Sequence, residues 1–420
     1  MRTPVPEYLA DVLADQAANL DGVLADYIPE LARVDPDRLA VALCMGDGTV
    51  HAAGDSEASF TIQSMSKPFV YALALDGAGQ DAVSRTVGVE PSGDAFHSLS
   101  LGEDGRPRNP MINAGAIATH TLVGGPRAPL AYRTGLIVDG LSRFAGRRLE
   151  VDEEVATSEF ETSFRNRGVA NMLRHVGVIE QDPRDVVREY SRQCAIRVTT
   201  KDVAVMAVTL AMGGRNPVTG IRVVPRWVTK RVLSVMMTCG MYDAAGDWMT
   251  TVGIPAKSGV SGGILGAIPG HVGLAAFSPR VDGHGHSVRG VKVFEQLSRD
   301  LNLHLMDIQE ARVRLLQSSG EVELRDGTAR HLRLRGALYF GSVERLLREL
   351  LDVDTDERVV IDLTDVTHIN PVGRRMLLEA MADWQVDDHR LLLVDPNGRL
   401  SDPRGTGVEM DVVKEIAQEQ

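Results

Sequence analysis

Phe60-Thr61-Ile62-Gln63-Ser64-Met65-Ser66-Lys67-Pro68-Phe69-Val70-Tyr71-Ala72-Leu73-Ala74-Leu75 is the stretch on which the reading of this chain turns. The apolar residues after Pro68 fit a buried helix, and a proline is tolerated there only if the helix begins close before it. Ser64 and Lys67 then fall in the first turn, where residues three apart face one side and the amine can reach the hydroxyl. A serine is a weak nucleophile until a neighbouring base takes its proton, and a desolvated lysine can be that base. The positive end of the helix dipole favours negative charge developing nearby. By itself the spacing decides nothing, because a capping serine beside a solvated lysine shows the same pattern.

Composition adds weight to two lysines. Only 6 of the 45 basic residues are lysine, so a retained lysine is a candidate for what arginine cannot do, which is to shed a proton. Lys67 and Lys257 are the two set among small residues. Lys257-Ser258-Gly259 follows a predicted strand over Thr251–Lys257 and precedes Val260-Ser261-Gly262-Gly263. A Lys-hydroxyl-Gly run after a strand, far downstream of Ser-x-x-Lys, resembles the third signature of the serine β-lactamases and penicillin-processing enzymes.

Outward from these motifs, one or two amphipathic helices are expected within Val5–Arg33. A strand over Leu39–Met45 is closed by Gly46-Asp47-Gly48, a turn that predicts a hairpin into Thr49–His51. Val87–Asn113 reads as a long irregular stretch, and loops of that length tend to be functional. Helical patterns follow at Tyr132–Phe144, Glu153–Arg165, Val169–Val176, Pro183–Cys194, Lys201–Met212 and from Pro225 to Thr238. Gly263–Ile268 and Val272–Phe277 read as strands, and Gly283–Leu297 as a strand-to-helix passage. Strands at both ends of a helical block predict one sheet assembled from the two ends, with the helices packed beside it.

At 420 residues the chain is long enough for two domains. Residues 301–319 are expected to be a linker helix between a domain over 1–300 and a second over 320–420. The net charge is −12, and residues 321–420, with 21 acidic and 13 basic side chains, carry −8 of it. That balance argues against nucleic acid or an anionic membrane as partner. Three scattered cysteines, Cys44, Cys194 and Cys239, make neither a disulfide framework nor a metal site. His284 and His286 have no recognisable ligand spacing, so no metal is expected. The N-terminal residues hold no apolar run of ~7–15 residues such as a secretory signal carries, and the cytoplasm is the expected location. Gly259–Phe277 is apolar but holds six glycines and a proline, which suits short buried strands better than a membrane helix.

Taken together the motifs resemble the serine-dependent glutaminase family, whose catalytic domain is similar to the β-lactamase fold. The resemblance spans about residues 5–300. It rests on Ala25-Asp26-Tyr27-Ile28-Pro29, Gln63-Ser64-Met65-Ser66-Lys67-Pro68, Asn109 to Ile117, Ser158-Glu159 with Arg165-Asn166-Arg167, Tyr190 to Cys194, Gly240-Met241-Tyr242-Asp243 and Pro255 to Gly263. The family hydrolyses L-glutamine to L-glutamate and ammonia without an organic cofactor. The resemblance implies Ser64 as nucleophile and Lys67 as its proton acceptor, with Tyr190, Tyr242 and Lys257 as further catalytic groups. It implies Tyr27, Ser64, Asn113, Glu159, Asn166, Tyr190, Tyr242 and Val260 as the substrate-binding set, Val260 through its backbone N–H. The chemistry of glutamine agrees with this. Its α-ammonium calls for an anion such as Glu159, and its carboxylate for neutral donors such as Asn113 and Asn166. Glu159 and Asn166 are seven residues apart, so a continuous helix would present both on one face. The family often forms dimers or tetramers, and a homo-oligomer is expected on that ground. A β-lactamase-type hydrolase shares the Ser-Lys and Lys-Ser-Gly elements, but its middle Ser-x-Asn motif is not evident. A non-enzymatic amino-acid-binding module would need every motif to be vestigial.

Beyond residue 320 the order β, β, α, β, α, β predicts a small α/β domain. It resembles the STAS domain, mainly through Val359 to Leu377. Members usually carry a hydroxyl residue where this chain has Asn370-Pro371-Val372-Gly373, so a scaffold or protein-contact role is expected of this domain rather than a phosphate switch, with ligand sensing as the alternative.

Overall fold

All six residues of the strand Ala40–Met45 are buried, and so are those of Gly263–Ile268 and Val272–Phe277. Strands with no wet face need cover on both sides, so their sheet is the middle layer of its body. The structure, a computed structural model, describes residues 4–92, 101–125, 128–307, 316–324, 327–351, 357–386, 391–400 and 411–413. The chain divides into two compact bodies, Leu9–Ser298 and a smaller one formed by Met1–Tyr8 with Arg299–Gln420.

In the larger body the strands lie in the order Val50–Gly54, Ala40–Met45, Val272–Phe277, Gly263–Ile268, Ala256–Gly259. The α/β class is as expected, with strands from both ends of the segment in one sheet. Where a mixed sheet was expected, all four pairings are antiparallel. For three of them the reason is local: short turns join the last three strands, so each reverses on its predecessor, and the turn at Gly46-Asp47-Gly48 reverses the first pair, whereas Ala40–Met45 meets Val272–Phe277 from the far end of the segment. The helix Thr200–Ala211 lies against one face of the sheet. A Cβ on Gly273 would stand 2.2 Å from its Val208 N and 2.4 Å from its Ala204 O, so only glycine admits the helix backbone there. Ala267 pairs with Gly273 and shares its face, so Gly266, one position along, faces the other way. On that side sits Phe294 of the helix Val288–Leu301, its ring 5.5 Å from Trp248.

The remaining helices form the block beside the sheet. Pro183–Cys194 has the expected limits, with Asp182 capping its first turn through the amides of Arg184 and Asp185. The helix Lys67–Ala78 starts immediately before Pro68, where a missing N–H costs nothing. Of the one or two helices expected within Val5–Arg33, one is α-helical, Val5–Ala17, and a 3-10 turn follows at Leu31–Arg33. Three expectations need correction. The helices predicted over Glu153–Arg165 and Val169–Val176 are Glu153–Thr162 and Phe164–His175, so the break between them falls earlier, at Ser163, whose φ of −80° and ψ of 44° leave the helical well. The strand predicted over Thr251–Lys257 is Ala256–Gly259; Ala245–Thr251 is a helix instead, anchored by Trp248, whose Nε1–H donates to the Ile254 carbonyl at 2.7 Å. The linker helix expected over 301–319 is absent from the described part of that span. The preceding helix ends at Leu301, Asn302 turns left-handed at φ 56°, and Leu316–Leu324 is a strand. Residues 308–315, and 93–100 of the long irregular stretch, lie outside the described residues.

The smaller body holds a second five-stranded sheet in the order Asp411–Val413, Leu391–Val394, Val359–Ile369, Gly327–Leu338, Leu316–Leu324. Three pairings are parallel and the last is antiparallel. The helices Phe340–Leu351 and Pro371–Val386 supply the crossovers. Residues Met1–Tyr8, expected in the first domain, group here because the Tyr8 hydroxyl donates to Asp300 Oδ2 at 3.3 Å. Asn370 caps the second helix. Its Oδ1 accepts from Gly373 N–H at 2.7 Å, its Nδ2 donates to the Asp300 carbonyl at 3.0 Å, and Pro371 follows at the first helical position.

Two measurements test this account. Gly273→Ala is expected to lower stability by ~1–3 kcal/mol through overpacking, read from urea denaturation. Asn370→Ala is expected to lower the stability of the smaller body by ~1 kcal/mol, read from the exchange of amide protons in Pro371–Val386.

Candidate active site

The short ladder Phe60–Thr61 with Arg197–Val198 delivers the chain into a 3-10 turn, Gln63–Ser66, which runs straight into the helix at Lys67. Gln63 enters the turn at φ 49°, a left-handed conformation that few non-glycine residues adopt and that persists only where neighbours hold it. Lys67 N–H donates to the Ser64 carbonyl, so the two side chains leave the same face of one turn. The turn is braced from behind. His120 Nδ1 lies 2.9 Å from Gln193 Oε1, and Gln193 Nε2 donates to Ser66 Oγ at 2.9 Å. The edge strand Ala256–Gly259 closes against it, since a Cβ on Gly259 would stand 3.1 Å from the Ile62 carbonyl oxygen and 3.5 Å from Gln63 Cβ.

Behind Ser64 the side chains are dry. Lys67 is 1% exposed and Lys257 fully buried. Burial pushes the Lys67 amine down to about 8, and drives Lys257 well below the ordinary lysine range with Lys67 adding like-charge repulsion. Lys67 Nζ donates to Asn113 Oδ1 at 2.7 Å, and Asn113 Nδ2 passes the chain on to Asn166 Oδ1 at 2.9 Å. Lys257 Nζ donates to the Ser258 carbonyl at 2.9 Å and lies 3.7 Å from the centre of the Tyr242 ring. The Tyr242 hydroxyl is hydrogen-bonded to Ser64. Tyr242 is itself left-handed at φ 54°, and burial raises its phenol above the usual range.

In front of Ser64 is a cavity of about 420 Å³, within the size range of small-molecule sites. Tyr27, Gln63, Ser64, Asn113, Glu159, Asn166, Tyr190 and Cys194 are in its wall, with Thr162 to Arg165 at the helix break. Tyr27 is half exposed, whereas Glu159 and Tyr190 are buried. Burial raises Glu159 to about 7 against the opposing pull of hydrogen bonds from Gln63 and Cys194 and of the Lys67 charge. Gln63 Nε2 donates to Glu159 Oε2 at 3.1 Å.

The structure therefore sorts the residues singled out in the sequence into two groups. Tyr27, Ser64, Asn113, Glu159, Asn166 and Tyr190 share the cavity wall. Lys67, Tyr242 and Lys257 gather behind Ser64, outside that wall. The Val260 side chain is buried in an apolar cluster with Ala25, Ile28 and Ala195, one residue past the edge strand. Glu159 and Asn166 come together for a different reason from the one expected. A continuous helix would separate them by about 10 Å along its axis, too far for one amino-acid head group; the break at Ser163 lets both reach one cavity. Gln63 and Cys194 carried no role in the sequence reading. Both had a signal. Gln63 adjoins Ser64, and Cys194 lies one turn after Tyr190 on the same buried face. Among the described residues no group of three or more His, Cys, Asp or Glu side chains is placed to hold a metal, and no helix is long and apolar enough to cross a membrane.

Comparison with known proteins gives this geometry its family. Residues 22–306 match the glutaminase family and residues 319–403 the STAS domain. The chain belongs to the glutaminase family. The glutaminase of Corynebacterium glutamicum is 46% identical over 400 residues, which cover 95% of this chain and 96% of that protein. The crystal structure of Mglu is 48% identical, with a TM-score of 0.73 over 94% of this chain and 99% of that one. Mglu in its glutamate form is 44% identical with the same TM-score, 0.73, and covers 94% and 99% of the two chains. The larger body thus has the β-lactamase-like fold of this family, and the smaller is its C-terminal STAS domain.

Proposed function

We propose that Ser64 attacks the side-chain amide of L-glutamine while Lys67 takes its proton. Hydrolysis of L-glutamine to L-glutamate and ammonia is the activity of the family to which the chain belongs. The observation that carries the assignment is the position of Ser64, with the cavity on one side and Tyr242 and two buried amines on the other. With a pKa of about 8, roughly one Lys67 amine in ten is neutral at pH 7 and has a lone pair to offer.

The substrate would enter with its α-ammonium against Glu159 and its α-carboxylate against the Asn166 amide and the Tyr27 hydroxyl. Bond formation between Ser64 Oγ and the amide carbon turns the carbonyl into an oxyanion, which the backbone N–H groups of Ser64 and Val260 would stabilise; one such donor contributes ~2.7–4 kcal/mol. Asn113, bonded to both Lys67 and Asn166, ties the base to the head-group site. Collapse breaks the carbon–nitrogen bond, and the proton taken by Lys67 returns to the leaving amide nitrogen through Tyr242, releasing ammonia. Tyr190 closes the far wall. Water then attacks the acyl-enzyme by the reverse proton path, freeing glutamate and the serine. Lys257, its amine lowered by burial and by Lys67, would act on Tyr242 through the ring it lies against. That Mglu, 44% identical, has a glutamate form supports glutamate as the product here. For the STAS domain the lack of a hydroxyl side chain across Asn370-Pro371-Val372-Gly373 favours protein contact, and a cytoplasmic homo-oligomer is the assembly we propose.

Ser64→Ala is expected to abolish ammonia release while circular dichroism stays unchanged; undiminished turnover by the purified variant removes Ser64 from the mechanism. The pH dependence has a definite sign. Lys67 must lose a proton and Glu159 must be ionised to meet the ammonium, so kcat/KM rises with pH through two steps, near 7 for Glu159 and near 8 for Lys67. Glu159→Gln is expected to erase the lower step and raise KM by ~30-fold or more, read from glutamate formation across pH 5–9.

A further inference from the structure

His286 is 3% exposed and stacks on the Tyr242 ring, with centroids 5.9 Å apart and planes 11° from parallel. Its backbone is fixed. His286 N–H donates to Asp282 Oδ1 at 2.9 Å, Asp282 N–H donates to the His286 carbonyl at 2.8 Å, and Val281 pairs with Ser287. His284 stacks on His286 at 6.0 Å, and its Nδ1 lies 3.2 Å from Oδ1 of Asp243, the residue after Tyr242. Loop 282–286 and the turn Tyr242–Ala244 therefore grip each other at two points. His286 Nε2 is buried without a hydrogen-bond partner among the described residues, so the contact this side chain offers is its ring face.

We propose that His286 is a positioning residue for glutamine hydrolysis, holding the Tyr242 ring beside the Lys257 amine and thereby the Tyr242 hydroxyl on Ser64. The inference rests on the role given to Tyr242 above. Tyr242 stands in a left-handed backbone conformation that relaxes unless its surroundings over-determine it. The titratable groups facing His286 are Asp282, Asp243, His284 and Lys257, and burial pushes the imidazole down to about 4. At neutral pH the ring is uncharged and adds no cation beside the two lysines. Packing, not charge, is what it supplies.

The test compares kcat and KM of wild type, His286→Ala, His286→Phe, Tyr242→Phe and the double variant with alanine at 286. A side chain displaced by about 1 Å can cost ~100-fold in rate, and His286→Ala is expected to lose ~10-fold or more in kcat with KM little changed. His286→Phe keeps a flat ring and restores most of that loss. In the Tyr242→Phe background, removing the imidazole costs nothing more, because the group it positions is already gone. Undiminished kcat in His286→Ala, no rescue by phenylalanine, or an equal loss in both backgrounds each overturns the role of His286. Where His286→Ala does not fold, His286→Asn, which also lacks the ring, is read in its place. Full activity of Tyr242→Phe would instead remove Tyr242 from the reaction; an impaired Tyr242→Phe with unaffected histidine variants removes only His286.

Discussion

Two lysine amines buried within reach of one tyrosine ring are the constraint that organises this protein. Lys67 Nζ lies 5.6 Å and Lys257 Nζ 3.7 Å from the centre of the Tyr242 ring, and among the described residues neither amine has an ion-pair partner. With so little water burial lowers both amines, and Lys67 adds like-charge repulsion at Lys257. The means of exclusion is the layered architecture. The sheet is covered on both faces, its edge strand closes on the Gln63–Ser66 turn, and the helical block seals the far side. A single glutamate stands on the cavity side, raised toward neutrality by the same lack of water.

Burial of this kind is costly, and the backbone carries part of the cost. Among the described residues three non-glycine positions have positive φ, and two of them, Gln63 and Tyr242, flank Ser64. Each carries a contact to the site. Gln63 reaches Glu159, and Tyr242 reaches Ser64. The strain is thus located where a small displacement would separate the serine hydroxyl from the groups around it.

Much of this was legible in the residues, for identifiable reasons. The strands Gly263–Ile268 and Val272–Phe277 and the helix Pro183–Cys194 have the limits their patterns suggested, because glycines, a proline and a capping aspartate punctuate them. The motif order pointed to the cavity and to the lysines behind it. Other features were not legible. Antiparallel pairing throughout the larger sheet depends on which ends meet, which periodicity does not encode. No glycine or proline stands at the bend at Ser163, the nearest being Gly168, five residues on. Among the described residues of 301–319 no helix follows Leu301, and the left-handed backbone of Asn302 next to it looks ordinary in a sequence. His120 and Gln193, which brace Ser66, lie 73 residues apart and only folding brings them together.

The joint at Ser163 also sets how this site can change over evolutionary time. Glu159 hangs from the end of one helix and Asn166 from the start of the next, so their relative bearing is fixed by a single residue's torsion angles. Loss or gain of one residue there would shift Asn166 relative to Glu159, so a change of length at this joint moves two parts of the cavity wall at once.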